Sequence, residues 1–217
     1  SLAATTVFVA GHGYGTIGFS TETSIVGTAS STGTASSTGT ALSTGRVNYQ
    51  NLEKEFAVVV DGRRTKAADL NVWGVTFRPG PNPTVFYATV ATGGKTWLVE
   101  GNLMKRVMVA LRPDAECPSL SPDGRTVVYK RRDGSPINWR YHALDLRTGR
   151  EWPLNEKRSV DDQVEWLDND HVLYGLPRSG TGQTDVWIAD VKSRSETSIF
   201  IPDAASPAVV REASAGG

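Results

Sequence analysis

The sequence predicts an all-β chain built as a β-propeller of four-stranded antiparallel blades. About four blades are expected here, three complete and one split between the termini, either closed on themselves or forming an arc of a larger ring. Three observations predict it. Apolar residues come in short β-branched and aromatic runs, broken every few positions by Gly, Pro, Asn or Asp, and no helical stripe of useful length interrupts them. The runs repeat: Tyr87, Tyr129 and Tyr174 lie 42 and 45 residues apart, and Asp145 and Asp190 lie 45 apart. A repeat of about 40–45 residues holding four strands is the period of a propeller blade.

Taken in chain order, Thr5 to Ala10 matches a second strand (b), Phe19 to Val26 a third (c), and Glu55 to Asp61 with Gly62 a fourth (d) of a first blade that lacks its inner strand a. Between them, residues 27–46 hold a six-residue Thr/Ala/Ser/Gly repeat. That segment has too little apolar area to offset its ordering entropy, so a flexible low-complexity loop is expected. The next blade runs through Val72–Phe77, Thr84–Ala88, Lys95–Val99 and Arg106–Val109, with Gly93-Gly94 as a turn. The third blade runs from Cys117–Leu120 through Thr126–Tyr129 and Arg140–Leu146 to Glu151–Leu154. Its Ser121-Pro122-Asp123-Gly124 turn has a mechanism, since Pro presets φ and Gly takes the positive φ that other residues adopt only at a cost. The fourth blade runs through Val164–Leu167, His171–Tyr174, Asp185–Val191 and Thr197–Phe200. Ser206 to Val210 reads as an inner strand with nothing after it, and 211–217 as a frayed tail, so that 1–210 forms one propeller or partial propeller. Ser1 leads at once into a strand pattern, and the turn expected before it is missing, which favours the arc. An arc exposes a strand edge, so association of copies is expected from it.

Composition narrows the function. The 217 residues carry 23 Lys plus Arg against 23 Asp plus Glu, so no net field draws the chain to nucleic acid. A single cysteine, Cys117, excludes an internal disulfide and any multi-cysteine metal site. No apolar run approaches the roughly 20 residues of a membrane span. Gly13-Tyr14-Gly15-Thr16-Ile17-Gly18 satisfies a dinucleotide-binding pattern, but a strand pattern follows it where a helix is required. Gly93-Gly94-Lys95-Thr96 ends like a phosphate loop yet lies in a hairpin, and no G-x-S-x-G nucleophile elbow occurs. His12, His142 and His171 have no metal-ligand spacing, and Trp97, Trp166 and Trp187 read as blade-packing residues.

In a propeller the connections from strand d to the next strand a, and from b to c, open on one face, which usually meets the ligand. That face is expected to carry Asp114, Glu116, Asp161 and Asp162 from d–a connections, Lys130, Arg131, Arg132 and Arg178 from b–c loops, and His12 from the first blade. Such a mixed rim suits a peptide, a sugar chain or a calcium ion; no other cofactor is expected.

The stretch Leu120-Ser121-Pro122-Asp123-Gly124-Arg125-Thr126-Val127-Val128-Tyr129, with Ala143-Leu144-Asp145-Leu146-Arg147-Thr148-Gly149, resembles the repeat of TolB-like propellers, whose blades carry an "SPDG…aay…dl.tG" pattern. The resemblance covers Val72 to Ile201 well and Thr5 to Val26 loosely. Glu116 to Gly124, with Ser159 to Gln163 and Trp166-Leu167, is similar to the secreted TolB-like proteins of actinobacteria. It implies an extracytoplasmic, non-enzymatic scaffold that binds a protein or peptide of the cell envelope. The rival expectation is a glycan-active lyase or hydrolase working through Asp114, Glu116, Asp161 and Asp162.

Overall fold

A computed structural model describes residues 2–10, 19–28, 46–65, 69–80, 84–134, 138–193 and 195–211. His12, the Gly13–Gly18 pattern and most of the low-complexity segment lie outside the described residues. The chain divides into two compact units, Ser1–Pro118 and Ser119–Gly217.

In the first unit, β1 (Leu2–Ala10), β2 (Phe19–Thr28) and β3 (Arg46–Asn51) form an antiparallel sheet in that order. A single helical turn, α1 (Leu52–Glu55), follows, with Asn51 as its cap accepting the Lys54 N–H. Then come β4 (Ala57–Val60), β5 (Arg63–Thr65), β6 (Asn71–Phe77), β7 (Val85–Thr92), β8 (Lys95–Asn102) and β9 (Val107–Pro113). Strands β6 to β9 are the predicted meander, and β7 and β8 turn on Gly93-Gly94, both at positive φ, with Thr92 paired to Lys95. The phosphate-loop lookalike is therefore a hairpin turn, fastened by Asp69, whose carboxylate accepts the Gly93 N–H at 2.8 Å and the Thr92 hydroxyl at 2.9 Å.

One assignment is corrected. The strand expected over Glu55–Asp61 as strand d of the first blade instead pairs in parallel with β9, Val58 opposite Met108, and β5 folds back on it. The sheet thus has six strands in the order β5-β4-β9-β8-β7-β6, while β3 supplies the first blade's fourth strand. The reason is apolar burial: Val58 and Phe56 enter the core formed by Leu52, Val72, Phe86, Val90, Val99 and Met108. The first blade meets the second through threonines. Thr23 Oγ1 donates to the Val72 carbonyl, and Thr21 Oγ1 accepts the Val72 N–H at 2.7 Å.

β10 (Ala115–Leu120) runs across the division between the units and heads a sheet of β11 (Thr126–Asp133), β12 (Asn138–Asp145) and β13 (Glu151–Pro153). The last sheet is β14 (Glu165–Trp166), β15 (His171–Pro177), β16 (Thr184–Asp190) and β17 (Ser198–Ile201), in sequence order. Both are the predicted blades. Their core holds Val128, Tyr141, Val160, Trp166, Val172, Tyr174 and Ala189. Repeat-equivalent residues do equivalent work. Asp145 and Asp190 each fold the c–d turn by accepting N–H groups two and three residues on, and Asn102 does the same in the preceding blade. The a–b turns of the last two blades touch, the Asp123 N–H donating to Asn169 Oδ1 at 3.0 Å.

A further expectation fails. Residues 206–210 form no strand: Pro207 has no N–H to offer a ladder, and Ser206 adopts φ 53°. Of the tail expected over 211–217, only Arg211 lies among the described residues; its guanidinium donates to the Trp166 carbonyl and pairs with Glu165 at 3.2 Å.

Candidate functional site

Blade geometry places the 154–164 connection and the 178–183 loop at one end of the last blade, and a cleft of about 450 Å³ opens between them. Its apolar lining comes from Leu176, Pro177, Trp187 and Ile199, and its polar lining from Arg158, Ser159, Arg178, Ser179 and Asp185. Strand alternation explains the apolar part: Trp187 and Ile199 are cross-strand partners on one face of β16 and β17.

Arg158 lies over the Trp187 ring, its Cζ 3.8 Å from the centroid. It is held there by Glu156, whose side chain is 2% exposed and whose carboxylate accepts Nε and Nη2 of Arg158 at 2.8 and 2.6 Å. The same carboxylate accepts the Tyr174 hydroxyl at 2.5 Å and the Thr197 hydroxyl at 3.2 Å. Burial pushes the Glu156 pKa up, but the bonds from Arg158 and Tyr174 outweigh it and hold the carboxyl at about 2. Burial, with the bond to that carboxylate, pushes the Tyr174 phenol well above its usual range. The buried half of the network is thus saturated, while Nη1 of Arg158 has no partner among the described residues.

Arg178, a predicted rim residue, sits on the opposite wall. It grips Asp185 through Nε at 2.7 Å and Nη2 at 2.5 Å, reaches Asp203 at 3.1 Å, and bonds Gln183 Oε1 through Nη1 at 3.1 Å. The Arg178 bond, aided by the Asp203 N–H, holds the Asp185 carboxyl below its usual range.

The other predicted rim residues are dispersed. Asp114 is the single residue between β9 and β10, exposed and at φ 54°, and Glu116 lies on β10 itself. Arg131 and Arg132 are strand residues, because β11 runs four residues beyond the apolar segment and carries them with it. Arg131 pairs with Glu151 at 2.7 Å, and Arg132 stands 5.3 Å from the Trp139 ring. Lys130, expected in a loop, is buried on β11, pairs with Asp161, and sits 4.9 Å from the Trp139 ring. Asp161 and Asp162 diverge: Asp162 accepts the Gly175 N–H at 2.7 Å and the Gln163 N–H at 2.9 Å, fastening the connection to β15. Asp161 is paired with Lys130 and Asp162 with backbone N–H groups, so the two carboxylates have separate partners. Among the described residues no three of His, Cys, Asp or Glu gather as a metal would require. His142 is structural, packed beside Tyr129 and 2.9 Å from Glu151; burial lowers its pKa.

Reasoning from sequence missed Arg158 and Glu156. The signal is the Glu156-Lys157-Arg158-Ser159 run in the d–a connection of the third blade, which carries charge beside the Asp161-Asp162 pair.

No protein-family model matches the sequence, and no curated protein matches it. Solved structures do. TolB from Acinetobacter baumannii is similar at a TM-score of 0.50 and 16% identity, over 86% of this chain and 40% of that one. The putative TolB from Agrobacterium tumefaciens is similar at a TM-score of 0.55 and 13% identity, over 92% of this chain and 70% of that one. The fold is that of a TolB-like β-propeller. The chain spans less than half of the A. baumannii protein, and among the described residues no helix is long and apolar enough to cross a membrane.

Proposed function

We propose that this TolB-like chain is a non-enzymatic scaffold that binds a protein or peptide of the cell envelope, outside the cytoplasm, through the cleft of its last blade. The observation that carries the reading is the Glu156–Arg158–Trp187 arrangement. A guanidinium fixed over an indole, beside exposed Ile199, offers a rigid surface at low entropic cost, the chemistry enriched at binding hot spots. The charges around it are already paired, which suits a partner with an apolar anchor and a few hydrogen-bonding groups rather than a highly charged one. No cofactor enters this reading.

The test is selection of peptides from a phage-displayed library on the whole chain, followed by affinity measurement on variants. Ser179→Trp fills the cleft mouth from an exposed position, and Trp187→Leu removes the ring while keeping apolar volume. Each is expected to weaken selected peptides by about tenfold or more, with the unfolding midpoint of the Ser179→Trp protein unchanged. Peptides that bind both variants as well as the parent would overturn the reading.

A further inference from the structure

A strand at a sheet edge carries unpaired N–H and C=O groups, and proteins guard such edges with charge, proline, brevity or an added strand. Three outer edges here are guarded in those ways. The β9 edge is taken by β4, β5 presents Arg63 and Arg64, and β13 has only three residues, with Glu151 and Pro153 among them. The four-residue edge of β17 holds neither a charged residue nor a proline within it. Its sequence is Ser198-Ile199-Phe200-Ile201, all four residues are exposed, and the three apolar side chains are 46–47% exposed. Among the described residues nothing pairs with its outer side.

We propose that this edge takes an extended apolar segment of a partner protein, flanked by basic residues, as a fifth strand of the blade. The inference rests on the reading that the last blade binds a peptide, and it adds how the backbone of that peptide is held. Two observations favour this occupant. The molecule already uses the same device: Ala57–Val60, an apolar β-branched segment, adds to the outer strand of the second blade with its main chain in ladder register. Each end of β17 keeps an excess of negative charge: exposed Glu196 precedes it, and Asp203, 61% exposed, follows it and shares the single Arg178 guanidinium with Asp185. Antiparallel pairing of two copies about Phe200 would bring the Glu196 end of one against the Asp203 end of the other, like charge to like, whereas lysines flanking a guest strand meet opposite charge at both ends. Ile199 lies on this edge and also lines the cleft, so the two surfaces adjoin.

The probe is a labelled peptide that sets the β4 sequence between two lysines, acetyl-Lys-Ala-Val-Val-Val-Lys-amide, added to the whole chain and followed by hydrogen–deuterium exchange and fluorescence anisotropy. Binding is expected to slow exchange of the 198–201 amides. Glu196→Lys, a change at an exposed position, is expected to weaken it about fivefold, as is replacing the peptide lysines by glutamates. The Ser179→Trp protein, its cleft filled, keeps the protection of 198–201, so failure of the cleft and failure of the edge give different results. Absence of protection at 198–201 overturns the proposal. So does protection already present without peptide that disappears on dilution, which would assign the edge to a second copy.

Discussion

Glu156 shows what a single buried charge does in this fold. Its carboxylate accepts four side-chain hydrogen bonds, from Nε and Nη2 of Arg158 and from the Tyr174 and Thr197 hydroxyls, and so ties the d–a connection to strand b of the last blade and to the residue just before its strand d. Its folded pKa, about 2, lies below the ordinary 4.5. The folded state therefore binds fewer protons than the unfolded one in that interval. The stabilisation is complete above about pH 4.5 and is lost as pH falls towards about 2. Urea unfolding as a function of pH is expected to show a falling acid limb there that flattens in Glu156→Gln. At neutral pH the same substitution should cost roughly 2 kcal/mol, moderated because Arg158 is partly in water. Asp162→Ala, which unties the Gly175 N–H, should cost about 1 kcal/mol in the same assay. Exposed Asp161 contributes mainly by neutralising Lys130.

At the scale of elements, cross-strand packing decides what each position tolerates. Gly101 on β8 faces Phe86 on β7, and a Cβ at that glycine would lie 2.0 Å from the ring. Gly101→Ala should therefore displace the ring from the core it shares with Phe56 and Phe77, costing about 2–3 kcal/mol; denaturant midpoints check this. Packing of this kind also separates what was legible in the sequence from what was not. Strands b and c of three blades were readable because Tyr87, Tyr129 and Tyr174 recur at the blade period and are fully buried, and because turn residues at Gly93-Gly94 and Pro122 to Gly124 have only one good use. The placement of Ala57–Val60 was not readable. An apolar four-residue strand carries no mark of which edge it joins, and the choice of β9 depends on a core assembled from distant segments. The cleft was half readable. Arg178 was found from its b–c loop, but the role of Arg158 depends on Trp187 lying beneath it, a contact across 29 residues that no local pattern encodes.

For the whole molecule, equal numbers of acidic and basic residues put the isoelectric point near 6.8. Solubility is expected to pass through a minimum close to neutral pH and to rise on either side, which turbidity of a concentrated solution measures. Recognition by such a chain depends on local arrangement, since no long-range field contributes, and the arrangement proposed for it lies on the last blade. Hydrogen–deuterium exchange of the whole chain with and without a library-selected peptide tests that assignment most directly. The expected result is slowed exchange at 158–159, 178–179, 185–187 and 198–201 together. Protection confined to the a–b and c–d turns, at 121–126, 145–150, 168–171 and 190–193, or to the first unit, would contradict it.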